Sequence, residues 1–241
     1  MHAIIPARSG SKRVKSKNII KVGRHPLLAY AIAACELSSK IDRVIVSTDC
    51  KHIAKIAEQY GAEVPFIRPV KYAKDKSSDF GFLSHFFKNI DTDEVALIRP
   101  TSPLRNPELI DSVIEDYLSM SLSNKFTGMR TMCQSNHSPY KMMKIQEGIC
   151  TGFFKDFNGE KLYTNLPNQV FPVSYTPNGY IDIVKKKTVE NGSVFGNRIM
   201  PLITEKIIDI DDYFDLDIVK SLIDTKYDLL SVHLDNLKYN I

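Results

Sequence analysis

The stretch Ile4-Ile5-Pro6-Ala7-Arg8-Ser9-Gly10-Ser11-Lys12-Arg13-Val14-Lys15-Ser16-Lys17-Asn18 decides how the rest of the chain is read. A short apolar run leads straight into a polar, basic loop, as at the end of a buried strand in an α/β sheet. Seven cations, Arg8, Lys12, Arg13, Lys15, Lys17, Lys21 and Arg24, come before the first acid of the chain, Glu36. A ligand with several negative charges fits such a field, and Gly10 between two serines lets backbone N–H groups approach an anion closely. In open α/β sheets the loops at the carboxyl ends of the strands form the ligand crevice. A solvated basic loop is the alternative reading of the same residues. Neither the Walker loop nor the dinucleotide fingerprint is present, because Gly10 is followed by Ser-Lys-Arg-Val-Lys-Ser and not by the glycines those motifs need. Phosphate would therefore be held by side-chain cations more than by a glycine cradle.

The remainder of the chain is not basic. The formal charge of +4 is smaller than the loop's own seven positive charges, so the rest of the protein is net negative. Local basicity points to one small anionic ligand and away from a nucleic-acid surface, and the cations are not interleaved with stacking aromatics. With 241 residues and 43% hydrophobic content, one large α/β domain or a domain with an appended subdomain can bury a core without staples. Cys35, Cys50, Cys133 and Cys150 have neither zinc-like nor disulfide-framework spacing and are expected to be free. No charged leader with an apolar core opens the chain, and no apolar run approaches the roughly 20 residues that span a bilayer. A cytoplasmic protein without membrane contact is the expectation.

Alternation of element types carries the fold. Pro26 marks a helix start before Leu27 to Ala34, Arg43 to Ser47 reads as a strand, and Ile53, Ile56, Ala57 and Tyr60 recur at helical spacing before Gly61. Val64 to Ile67 reads as a further short strand. Phe80, Leu83, Phe86, Phe87 and Ile90 predict a third helix with aromatics in the core, Val95 to Ile98 a strand, and Leu109 to Leu118 a helix apolar along one face. That order predicts a mostly parallel sheet flanked by helices. From about Cys133 to Gly196 the pattern is less regular and β-like, and from Tyr213 to about Tyr239 helical spacing returns.

Five further groups follow the opening loop: Ser47-Thr48-Asp49, Arg68-Pro69, Pro100-Thr101-Ser102-Pro103-Leu104-Arg105, Pro177-Asn178-Gly179 and Ile208-Asp209-Ile210-Asp211. Together with Ile5 to Arg13 and Lys17-Asn18 they resemble, in order and over nearly the whole chain, the signatures of the acylneuraminate cytidylyltransferase family. The resemblance implies a Rossmann-like nucleotidyltransferase fold spanning 1–241, with a small β-rich insertion at approximately 133–196 that serves dimerisation and covers the sugar site of a homodimer. It implies transfer of CMP from CTP to the anomeric hydroxyl of a nonulosonic sugar, for surface glycan synthesis, with magnesium as cofactor.

The resemblance also distributes roles. Arg8, Lys12 and Lys17 fall on the triphosphate as the catalytic cations, with Ala7, Ser9, Gly10 and Ser11 as donors and Asn18 beside them. Arg68 falls on the nucleotide, its plain alternative being a surface pair with Asp75 or Asp79, and Ser78 is a second nucleotide candidate. Thr101, Ser102 and Lys141 fall on the sugar side, with Tyr180 and Asp182 facing the same pocket. Lys15, Lys21 and Arg24 read as surface charges. Asp209 and Asp211 are two apart, so in an extended segment both carboxylates leave on one face while the isoleucines turn inward. That pair suits magnesium, which takes one or two carboxylates and completes its shell with water and phosphates; an amphipathic edge strand with solvated acids has the same spacing.

Two positions depart from the sialic-acid pattern: Arg99 stands where glutamine usually precedes Pro-Thr-Ser-Pro, and no arginine precedes the pair Leu166-Pro167. Both positions belong to the sugar pocket, which leaves legionaminate, another nonulosonate or an 8-amino octulosonate open as acceptor. Arg99 is expected to bind the acceptor's carboxylate, since a bidentate guanidinium pair is strong and directional. A sugar-1-phosphate nucleotidyltransferase and a non-catalytic nucleotide-binding protein are the competing functions.

Overall fold

The computed structural model describes residues 1–121, 125–225 and 229–237. Its elements in chain order are β1 (His2–Pro6), the short strands β2 (Lys21–Val22) and β3 (His25–Pro26), α1 (Leu27–Glu36), β4 (Arg43–Ser47), α2 (Lys51–Gln59), α3 (Asp79–Asn89), β5 (Glu94–Leu97) and α4 (Pro107–Ser121). There follow β6 (Gly128–Gln134), β7 (Met143–Gln146), β8 (Ile149–Gly152), β9 (Tyr175–Lys185), α5 (Lys186–Glu190), β10 (Ile199–Ile203), α6 (Tyr213–Thr225) and α7 (Leu229–Asn236). The last of the expected helical residues, up to Tyr239, lie partly outside the described residues.

One six-stranded sheet in the order β10-β6-β9-β5-β1-β4 organises the molecule. β1 pairs in parallel with both β4 and β5, and β6 with β10, whereas β9 runs antiparallel between β5 and β6. The sheet is therefore mixed. β9 is reached from a β-hairpin excursion and not through a crossover helix, so it enters from the opposite end. α1 is buried along nearly its whole length, Leu27 to Cys35, which is why it has an almost unbroken apolar sequence.

Some expectations change. Val64 to Ile67 forms no strand: isolated bridges join Ile45 to Glu63 just before it and Thr48 to Ile67 at its end, and Pro65 between them has no N–H for a ladder. Phe82 joins Leu83, Phe86 and Phe87 in the core while Phe80 is exposed, and Leu118 also faces solvent. Strand β9 belongs to the central sheet, so within the irregular region the chain leaves the sheet over 135–174 and again after Lys185, through α5. That excursion has a small aromatic centre of its own: Tyr140 stacks on Phe171 at 5.2 Å and meets Phe154 at 4.7 Å and Phe157 at 4.8 Å. All four cysteines are free. Among the described residues no helix is long and apolar enough to cross a membrane.

Candidate active site

Three parallel strands end on one edge of the sheet. β1 delivers the loop 7–18, β4 delivers Ser47-Thr48-Asp49, and β5 delivers Arg99 to Ser102. A cleft of about 300 Å³ opens there, lined among others by Arg8, Ser11, Lys12, Arg13, Lys17, Asn18, Arg68, Asp79, Arg99 and Thr101. The extended segment 204–211 runs beside it, pinned by the Ile210 N–H donating to the Thr101 carbonyl at 2.8 Å. Lys17 reaches across and donates to the Ile210 carbonyl at 2.7 Å. The first and last motifs of the chain thus meet.

The loop is not the unbalanced positive field that the linear sequence suggested, since distant acids fold onto it. Lys12 lies 2.5 Å and Arg8 3.5 Å from Asp75, and Arg8 also donates to the Lys74 carbonyl at 2.8 Å. Arg13 lies 2.9 Å and Lys17 3.8 Å from Asp211. Ser9 gives both its N–H and its hydroxyl to Asp49, at 2.8 and 2.7 Å. Burial pushes the Lys17 ammonium below the usual lysine range, against the pull of Asp211 and Asp209. Lys15, Lys21 and Arg24 are exposed, Arg24 pairing with Asp235.

The other loop residues are already engaged. The Ala7 N–H donates to the Ser47 carbonyl at 2.9 Å and the Ser11 N–H to the Ser9 carbonyl at 3.1 Å. Buried Asn18 donates to the Arg8 carbonyl at 2.8 Å, fixing the turn from which Arg8 projects. Gly10 is exposed, and a Cβ added there would meet nothing within 4 Å. That opening admits a ligand to the backbone.

Arg68 is no surface residue. It is 3% exposed, donates through Nε to the Ser47 hydroxyl at 3.0 Å, and lies 4.7 Å from the Phe82 ring centroid. Burial pulls its guanidinium down to about 10, with Asp49 and Asp79 acting in the other direction, so it stays charged at neutral pH. Its second bond, to the Ser47 carbonyl, ties it to the end of β4. Ser78 is exposed at the N-terminus of α3 without a capping bond, while its neighbour Ser77 lines the cleft.

Arg99 lines the cleft and bonds Asp79 at 2.7 Å. Gly179 has a left-handed φ of +62°, and a Cβ there would sit 3.2 Å from the Arg99 Cδ, so glycine gives the arginine room against β9. The Thr101 hydroxyl is buried without a partner among the described residues, although its carbonyl holds Ile210. Ser102 is buried and its hydroxyl donates to Asp209 at 2.9 Å. Asp209 and Asp211 flank buried Ile210, and Asp211 is half exposed.

Three expected sugar-side residues lie elsewhere. The Tyr180 ring is buried, its hydroxyl accepting from the Asn106 N–H at 2.6 Å and donating to the Asn106 carbonyl at 2.9 Å. Asp182 is fully buried beneath the cleft. Lys141 belongs to the excursion, where it donates to the Thr164 carbonyl at 2.8 Å. Asp49, Asp75 and Asp79 were not assigned to the site from sequence; Asp49 closes the motif Ser47-Thr48-Asp49 and was the one with a signal. Arg105 is a structural clamp at the end of the Thr-Ser-Pro motif, bonding the carbonyls of Ser102, Gly179 and Tyr180.

The cation-lined cleft at the strand ends and the acid-bearing segment beside it draw on residues inside and outside the region 2–147, which fits the family model described as Cytidylyltransferase. The chain belongs to the cytidylyltransferase family. It is 34% identical over 220 residues to an N-acylneuraminate cytidylyltransferase of Escherichia coli, covering 90% of this chain but 50% of that protein. It is 32% identical to a CMP-N,N'-diacetyllegionaminic acid synthase of Legionella pneumophila, covering 95% of this chain and 98% of the relative. The chain thus spans about half the length of the first relative and nearly all of the second. Among solved structures, a CMP:2-keto-3-deoxy-manno-octonic acid synthetase in complex with CTP superposes with a TM-score of 0.70 at 13% identity, covering 93% and 98% of the two chains. That likeness establishes the nucleotidyltransferase fold.

Among the described residues no three His, Cys, Asp or Glu side chains group as a metal cage. Asp209, bonded by Ser102, and Asp211, beside the cleft residues Arg13 and Lys17, still suit a magnesium ion that takes few protein ligands and draws its remaining oxygens from water and phosphates.

Proposed function

We propose that this cytidylyltransferase transfers CMP from CTP to the anomeric hydroxyl of a nonulosonic sugar. The acceptor oxygen forms a bond to the α-phosphorus, the bond to the bridging oxygen of the β-phosphate breaks, pyrophosphate leaves, and the hydroxyl proton is released. Charge accumulating on the phosphoryl oxygens is the main obstacle to this step, and preorganised cations lower it. A single unit charge at ~4 Å is worth roughly 4 kcal/mol at an effective dielectric near 20. In this reading Arg8, Lys12 and Lys17 hold the triphosphate, exchanging Asp75 and Asp211 for phosphate oxygens. Arg68 and the loop 9–11 complete the nucleotide side, with Ser77, which lines the cleft, nearer than Ser78.

Asp209 and Asp211 would hold magnesium, which supplies charge neutralisation at the phosphates when bound. Ser102 orients Asp209, and Lys17 sets the carbonyl between the two acids. On the acceptor side, Arg99 and Thr101 are the residues within the cleft. The observation that carries the reading is the bond from Lys17 to the Ile210 carbonyl, which joins the phosphate loop to the acid run at one cleft. The names of the relatives support a nonulosonate as acceptor, legionaminate-type acids included.

The excursion 135–174 is the segment we assign to dimerisation and to covering a sugar site, with Lys141 acting there. Met142, Ile145, Ile149, Phe153, Leu162 and Val173 are all exposed on it, which supports the assignment. A cytoplasmic location is part of this reading, supported by CTP as the proposed substrate. Pyrophosphate release from CTP and magnesium with a panel of nonulosonic acids tests the assignment. Release only with sugar phosphates, or with another nucleotide in place of CTP, would replace it with the sugar-1-phosphate reaction.

A further inference from the structure

Asp182 lies in the middle of the sheet, on β9, opposite Leu97 of β5 and Arg130 of β6. Its side chain is 0% exposed, and neither carboxylate oxygen accepts a hydrogen bond of good geometry among the described residues. A buried acid left in this condition is costly unless charges near it compensate. Two do so at longer range: the Arg130 Nε is 3.5 Å from one oxygen and the Arg99 Nη2 is 3.7 Å from the other. Arg130 is itself held over the Phe195 ring at 4.6 Å. Arg99 meanwhile bonds Asp79 at 2.7 Å on the cleft side. Four ionisable side chains of alternating type, Arg130, Asp182, Arg99 and Asp79, therefore run from the sheet into the cleft; burial pushes the Asp182 carboxyl above the usual carboxylate range, and the two arginines pull it back.

The two acids around Arg99 differ in what they can give up. Asp79 is about a third exposed and lines the cleft, so its bond can be exchanged for a carboxylate that arrives from solvent. Asp182 cannot leave, because it is enclosed in the sheet. We propose that Asp182 is the positioning residue for acceptor recognition: it retains the Arg99 Nη2 from the buried side, so that the same nitrogen can trade Asp79 for the carboxylate of the acceptor. Replacing one carboxylate by another beside Nη2 leaves the local charge unchanged, provided the buried acid stays fixed. This inference rests on the proposed reading of the cleft as the site of a carboxylate-bearing sugar.

Steady-state kinetics of the full chain with Asp182→Asn, Arg99→Gln and the double variant test it, using a nonulosonic acid that the unaltered protein accepts. Asp182→Asn is expected to raise the acceptor KM tenfold or more with the CTP KM within about twofold. Arg99→Gln should raise it at least as far, and the double variant should match Arg99→Gln alone, because both changes remove one interaction. A structural role for Asp182 would instead move both KM values together, or multiply the two effects in the double variant, and either result overturns the proposal. Should Asp182→Asn fail to fold, Asp182→Glu takes its place with the same two outcomes, and an unchanged acceptor KM in Arg99→Gln overturns the proposal as well. Absence of turnover by the unaltered protein with every nonulosonic acid would instead overturn the functional reading, and this inference with it.

Discussion

The cleft and the excursion 135–174 solve their charge and packing problems in opposite ways. In the cleft several cations are matched by acids from remote parts of the chain, Lys12 with Asp75, Arg13 with Asp211 and Arg99 with Asp79, while buried Arg68 bonds Ser47. The excursion folds around Tyr140 and Phe171 yet leaves Ile145 75% exposed and Leu162 68% exposed. The first region is closed by internal ion pairs, which in the proposed function an anion displaces. The second is apolar where a solvated surface would be polar, and calls for a covering surface.

The largest effect should come from breaking the join between the two ends of the chain. Lys17→Met removes one partly buried positive charge from the proposed triphosphate site, and kcat/KM for CTP should fall about 10³-fold in a pyrophosphate-release assay. An effect under about tenfold would show that the cations of the loop do not act on the reacting phosphates. On the excursion side, Ile145→Asp combined with Ile149→Asp should convert a dimer into a monomer, read by light scattering, while the thermal unfolding of the sheet domain stays close to that of the parent. A dimer that survives both changes would place the interface elsewhere.

Two smaller changes sharpen the same contrast. Asp75→Asn removes an internal competitor for the phosphates, and the KM for CTP should fall about twofold to fivefold at low salt, with the difference shrinking as ionic strength rises. The second concerns pH. Lys17 has a lowered pKa, so it loses its charge at lower pH than an ordinary lysine, and the alkaline decline of kcat/KM should begin below 10.5. In Lys17→Arg the guanidinium keeps its charge through that range, so the decline should move to higher pH.

Most of the cleft was legible in the chain because its motifs sit directly at strand ends. Ile4 to Asn18, Ser47 to Asp49 and Arg99 to Ser102 are each short, local signals, and parallel strands carry them to one edge of the sheet. The acids that balance the cations were not legible, since Asp75 and Asp79 meet Arg8, Lys12 and Arg99 only through tertiary folding and have no periodicity of their own. The reversal of β9 was hidden for a related reason: alternation of strands and helices predicts crossovers, whereas β9 returns from a hairpin excursion. Tyr180 and Asp182 show the limit of motif reasoning most clearly. They follow Asn178-Gly179 in sequence, but strand alternation and the clamp of Arg105 on the Gly179 and Tyr180 carbonyls place both side chains under the site and not in it.

The central claim is that the cations of the first loop and the carboxylates of the segment 208–211 grip one nucleotide tail and its counter-ion together. Calorimetric titration of CTP, with and without magnesium, into the parent protein and into a variant carrying both Asp209→Asn and Asp211→Asn tests it most directly. Magnesium should tighten CTP binding tenfold or more in the parent and by less than about twofold in the variant. An equal gain from magnesium in both proteins would contradict the account.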